Sequence, residues 1–350
     1  MINEKKLCKS LDALMHFLDG ALGIDRSKNR LSGYNLIVPL TEAAAYNSYL
    51  ENVTNKTDTI YLRAKNSLTS MMQYSYLEFI KRISQALSLH KEDVILAFDY
   101  TDEDFFGEVQ GVNTYGWTGE KGVTGKFKFL TCSIVGKCAP KKIPLISLPM
   151  QIGHYKSDVI LYCLSLIKDY IGEIKLILFD RGFYDKDLMF ELTKLNYPYL
   201  IFVPKHQDKQ SILYPMEIGE KIAIYNEFEV NRYKSKYPGE NILVFLKQIY
   251  DPRSEKNYDW IFATNIEEIL LENLVVTYKQ RWQIETDFRV QDEARIKCKS
   301  KEIKIRYFLF LYELMLQAIW ACFYKKEASF KEFIIELSKM SRRWTKTREA

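Results

Sequence analysis

Residues 94–100 read VILAFDY and residues 174–180 read IKLILFD. Each is an unbroken apolar run, too short for a buried helix and rich in branched residues. That pattern predicts a strand covered on both faces. Each run ends in an aspartate, Asp99 and Asp180. A third run, YLIFVPK at 199–205, lacks the acid. Between these runs, SDVILYCLSLIKDYI (157–171) and KDLMFELTKLN (186–196) have helical periodicity. Strand–helix–strand–helix–strand requires right-handed crossovers and parallel pairing over 174–205. GKFKFLTCSIVG (125–136) and KIPLISLPMQ (142–151) follow the first run at hairpin distance, so the sheet opens antiparallel.

Three strands in hairpin order, then helix, strand, helix, strand, is the order of a ribonuclease H-like fold. The expected class is α/β, a mixed sheet flanked by helices. Residues 1–90 carry no strand pattern. LDALMHFLDGAL, LTEAAAYNSYLENV (opened by Thr41 as a cap) and SLTSMMQYSYLEFIKRISQALSL read as three helices of an N-terminal domain. The catalytic core would then start at 91–205. Residues 206–264 hold KIAIYNEFEV, NILVFLKQIY and YDWIFATN, a β-rich insertion. Helical periodicity over 265–325 returns the chain to the core, and 326–350 reads as a basic, loosely ordered tail.

Two carboxylates at neighbouring strand ends repel unless a cation lies between them. Either aspartate alone has a plainer explanation, since Asp often ends a strand by starting a turn. Together, on two central strands, they favour a divalent metal such as magnesium, held by carboxylates, water and substrate phosphate. The segment VVTYKQRWQIETDFRVQDEARIKCKSK (275–301) offers a third ligand. At about 100° per residue, Tyr278, Arg281, Glu285, Arg289 and Asp292 fall within roughly 60° around one helix. A surface ion-pair ladder gives the same stripe. The chemical reading rests on an acid beside arginines that can fork onto phosphate oxygens. Asp99, Asp180 and Glu285 are therefore the candidate catalytic and metal-binding residues. Two ions about 4 Å apart would flank a scissile phosphate and drive in-line phosphoryl transfer without a covalent protein intermediate.

The chain resembles the DDE transposases of prokaryotic insertion sequences, in the branch whose last catalytic helix carries Y-x2-R-x3-E-x6-K. ILAFDYTDEDFFG (95–107), LILFDRGFYD (176–185) and YKQRWQIETDFR (278–289) carry the resemblance, which covers roughly residues 90–325. It implies cleavage at insertion-sequence ends and strand transfer into target DNA, with two Mg2+ ions per site that Mn2+ can replace. It implies double-stranded DNA with terminal inverted repeats as partner, DNA contacts by Tyr278 and Arg281, and a dimer in the active complex. Trp282, Arg289 and Lys297 are further DNA-contact candidates. The signature lysine falls at Asp292, so Arg289, Arg295 or Lys297 would have to replace it. A ribonuclease H-like nuclease, or a transposase-derived protein that only binds DNA, are the alternative readings.

The remaining features are less directive. Net charge is +5, from 50 basic and 45 acidic residues, which suits a polyanionic partner without requiring one. The six cysteines form no CxxC pair and suggest neither a zinc site nor a disulfide framework. No secretory signal pattern opens the chain and no membrane span is expected, so a cytoplasmic location is expected. Asp102, Glu103 and Asp104 read as a solvated turn or outer carboxylates. Trp260 reads as a core residue or a stacking surface for a base.

Overall fold

The computed structural model describes residues 2–24, 33–136, 141–229, 238–252, 254–266 and 273–349. Nine strands form one mixed sheet: β1 (Val94–Phe105), β2 (Tyr115–Gly116), β3 (Gly125–Val135), β4 (Pro144–Met150), β5 (Ile174–Phe179), β6 (Tyr199–Phe202), β7 (Lys221–Glu229), β8 (Pro238–Asp251) and β9 (Lys256–Thr264). Their order is β2-β3-β1-β5-β6-β9-β8-β7, with β4 paired to β3. β1 is antiparallel to β3 and parallel to β5, and β5 is parallel to β6. The crossovers are α5 (Lys156–Ile167) and α6 (Lys186–Lys194), where the sequence puts them. The mixed sheet of a ribonuclease H-like fold is thus present.

Three expectations need correction. The segment read as a β-rich insertion does supply strands, but they extend the central sheet: β9 pairs antiparallel with β6, and β8 and β7 follow. The acidic run 102–104 is not a turn, because β1 continues to Phe105 along its antiparallel partner β3. The C-terminal residues are not a loose tail. They form α11 (Phe330–Glu349), which buries Phe333, Ile334, Leu337, Ser341 and Trp344. That spacing of three and four residues is an amphipathic stripe among many charges, and it packs on the N-terminal helices.

The N-terminal part comprises α1 (Glu4–Ala21), α2 (Gly33–Tyr46), α3 (Thr57–Asn66) and α4 (Thr69–Leu87). Thr41 is not the cap of its helix. It lies inside α2, and its hydroxyl donates back to the Ile37 carbonyl at 2.7 Å. TDTIYLRAKN is a helix that the sequence reading passes over.

α10 (Ile303–Phe323) ties the N-terminal helices to the sheet. By length and composition it could cross a membrane, yet it is almost wholly buried inside the fold. Phe310 stacks on Phe129 of β3 at 4.4 Å and Phe308 lies 6.2 Å from Phe17 of α1. One apolar core therefore runs from α1 through α10 to one face of the sheet. A second, smaller core covers the opposite face, joining Ile95, Ala97, Leu176 and Leu178 to Tyr278 and Ile284.

The candidate active site

Side chains alternate across a strand, so Ile95, Ala97 and Asp99 share one face of β1, and Leu176, Leu178 and Asp180 line up along β5. The parallel ladder between these strands ends at Phe98 and Phe179. Asp99 and Asp180 are the next residue on each strand. They leave the shared ladder side by side, on the face covered by the second core. Behind them, Phe98 stacks on Phe179 at 5.4 Å and Tyr100 on Phe183 at 4.8 Å, so the floor of the site is rigid and dry.

The stripe from Tyr278 to Asp292, expected on one helix, is divided between two: α8 (Leu274–Lys279) and α9 (Trp282–Asp292); residues 267–272 lie outside the described ones. At the joint the amides of Arg281, Gln283 and Ile284 bond three residues back, to Tyr278, Gln280 and Arg281. Such a 3₁₀-like tightening inside a helix marks a hinge or a strained joint. Gln283 anchors it by accepting from the Gly136 amide at 2.8 Å. Gly136 has φ +79°, a left-handed backbone that favours glycine, and a Cβ there would also push the Gln280 side chain aside.

This joint brings three side chains to the strand ends. Arg281 Nη1 donates to Asp99 Oδ2 at 2.6 Å and Nη2 to Glu285 Oε1 at 2.5 Å. The Tyr278 hydroxyl lies 3.4 Å from Asp180 Oδ1. Arg281 is 4% exposed and Tyr278 2%, whereas the Glu285 side chain is 49% exposed. Burial pushes the Asp99 carboxyl up to about 6; Arg281 and the Tyr100 amide oppose this, and Asp180 and Glu285 add to it. Burial works to lower the Arg281 guanidinium, but Tyr278, Asp99, Asp180 and Glu285 outweigh it and hold the charge firmly. All three carboxylates thus share one electrostatic environment, with Arg281 among them.

The donor chemistry suits a hard divalent cation, because three like charges gather around a single internal positive one. The spacing does not yet suit it. Among the described residues no three His, Cys, Asp or Glu side chains are close enough to share an ion. The Arg281 guanidinium stands between Asp99 and Glu285.

The other expected site residues divide. Trp282 is half-buried and lines a cleft with Asp180, Lys205, Tyr258 and Trp260; Lys279 Nζ lies 5.7 Å above its ring. Trp260 is a core residue, 7% exposed and stacked on Phe262 at 5.8 Å. Arg289 is exposed on α9, and Lys297 is exposed beside Tyr49. Asp292, at the signature lysine position, turns toward Arg295 at 3.6 Å. Burial works to lower the Arg295 guanidinium, but Glu103, Glu313, Asp292 and Asp104 outweigh it and raise it above the ordinary value.

Sequence reasoning missed a buried ionic staple. Arg306 Nη1 meets Glu103 at 2.9 Å, while its Nε donates to the Ser300 carbonyl at 2.8 Å. Nearby, Glu313 accepts from the Ile296 amide at 2.7 Å and from Gln291 at 3.2 Å. Single charges set in an apolar helix such as α10 were the available signal. Cys132, Cys163, Cys298 and Cys322 form no disulfide; Cys138 lies outside the described residues.

A mixed sheet with two acidic side chains leaving adjacent central strands, and a third on a helix packed over them, is the arrangement of a ribonuclease H-like fold. The comparisons narrow this. Residues 154–304, which include Asp180 and Glu285, match the family described as "Transposase DDE domain". A cryo-EM structure of a piggyBac transposase synaptic complex with hairpin DNA shares the fold. It has a TM-score of 0.59 at 12% identity, over 99% of this chain and 82% of that one. No curated protein matches the chain. The chain thus carries, over residues 154–304, a match to a transposase domain, and shares its fold with a transposase.

Proposed function

We propose that this protein is a DDE-type DNA transposase, with Asp99, Asp180 and Glu285 as its catalytic triad and metal ligands. The observation that carries the assignment is the convergence of all three on Arg281, across 182 residues of chain from Asp99. DDE enzymes work with divalent metal ions. Here we assign two Mg2+ ions, replaceable by Mn2+, whose charge would screen the scissile phosphate and favour the ionised nucleophile. The chain's own contribution is positional. The stacked Phe98, Phe179, Tyr100 and Phe183 fix the two strand-end carboxylates. The α8–α9 joint brings the third within reach and keeps it half in solvent.

The substrate reading is double-stranded DNA bearing terminal inverted repeats, cut at the element's ends and joined to target DNA. Two ends must be handled together, which calls for a dimer in the active complex. The exposed Arg289 and Lys297, and Trp282 in its cleft, are the DNA-contacting side chains we assign. Tyr278 and Arg281 face the carboxylates in this conformation and reach DNA only after the joint rearranges. Spacing in Tyr278, Arg281 and Glu285 supports the Y-x2-R-x3-E branch of insertion-sequence transposases, with Asp292 where that signature has lysine.

The test is end cleavage on DNA carrying the element's own termini, with Mg2+. Asp99→Ala, Asp180→Ala and Glu285→Ala each lower cleavage by at least about a hundredfold while duplex binding persists. Normal cleavage by Glu285→Ala sinks the triad assignment. Cleavage without joining to target DNA favours a nuclease on the same fold.

A further inference from the structure

We propose that Arg281 is a built-in counter-cation that competes with divalent metal for Asp99 and Glu285, so that metal loading requires the α8–α9 joint to release it. The proposal rests on the triad reading above and adds a role that the triad does not contain. Four observations carry it. The guanidinium forks between Asp99 and Glu285 at 2.6 and 2.5 Å, spanning two of the three assigned ligands at once. It is buried and held among three carboxylates and Tyr278, so it is part of the site's interior and not a surface ion pair. Its third nitrogen, Nε, is buried without a hydrogen-bond partner, so the pose is not the best available to an arginine. Finally, Arg281 sits on the 3₁₀-like joint between α8 and α9, the kind of break in a helix that marks a hinge.

Electrostatics explains the consequence. Asp99, Asp180 and Glu285 together repel, and the Asp99 side chain is only 17% exposed. One guanidinium offsets part of that repulsion and holds Glu285 over the strand ends. A cation entering the same space must break two charge-assisted hydrogen bonds and meets a like charge. Once freed, the planar fork is suited to the phosphate oxygens of DNA. Arg281 would thus be a positioning residue that sets when the carboxylates become ligands.

The experiment is Mn2+ titration of the purified, chelator-treated full-length protein, without DNA, followed by electron paramagnetic resonance. Arg281→Gln binds Mn2+ about tenfold to a hundredfold more tightly than the wild type, the range spanned by one charge-assisted hydrogen bond. Arg281→Lys keeps the charge but cannot fork, and falls between the two. Equal or weaker binding by Arg281→Gln overturns the proposal. So does an Arg281→Lys affinity equal to that of the wild type, which would reduce the effect to charge alone. Should Arg281→Gln fail to fold, the Lys variant decides by the same comparison with the wild type. Asp99→Asn and Glu285→Gln are the controls for the underlying assignment. If both keep wild-type Mn2+ binding, the triad reading itself fails, whatever Arg281 does.

Discussion

At the scale of single residues, burial sets the chemistry of the acidic groups. Asp99 is held near 6 because it extends the apolar row Ile95–Ala97 into the site. Glu313 is a cleaner case, away from the assigned triad. Burial, aided by Glu103, lifts its carboxyl to about 8 against the pull of the Ile296 amide, Arg295 and Gln291. The folded protein therefore holds a proton on Glu313 between about pH 4.5 and 8, where the unfolded chain has lost it. The folded state binds more protons in that window, so the Glu313 contribution to stability is complete below it and declines as pH rises through it. Urea midpoints measured from pH 5 to 8 should fall more steeply in the wild type than in Glu313→Gln. The difference in slope approaches about 1.4 kcal/mol per pH unit. Parallel curves for the two proteins would show that Glu313 is ionised in the fold.

At the scale of elements, the stretch after α9 is irregular backbone, and side chains hold it in place. Arg306 of α10 reaches Glu103 of β1 and the carbonyls of Cys298 and Ser300, binding strand, loop and helix at one point. Replacing one partner leaves the other charge buried and unpaired. Arg306→Leu should cost about 3–5 kcal/mol in denaturant unfolding, and Glu103→Leu added to it should recover part of the loss. Strict additivity of the two substitutions would mean that the pair does not interact.

At the scale of the whole molecule, one continuous core joins the N-terminal helices, α10, α11 and the sheet. The helical region is therefore not an independent bead beside the catalytic sheet, and α11 closes it from the C-terminal side. Leu337, fully buried on α11, reports on this closure. Leu337→Ala should destabilise by about 2–5 kcal/mol and lower a single thermal transition for the entire chain. Two separate transitions, with only one shifted, would show that the N-terminal helices unfold by themselves.

Local patterns were enough for the sheet's central strands, the crossover helices and the candidate acids. Apolar runs ending in Asp99 and Asp180, and helical spacing around Glu285, are written in stretches of six to twelve residues and need no distant partner to be read. The amphipathic stripe of α11 was equally local, but its many charges masked it. Tertiary structure alone decided the rest. It decided that β9, β8 and β7 extend the sheet, because an exposed β6 edge with unpaired amides calls for a partner. It decided that the helix breaks at Arg281, and that Arg281 turns inward to Asp99, 182 residues away. Periodicity places a charge on a face. Only packing, by excluding water from that face, determines which opposite charge must answer it.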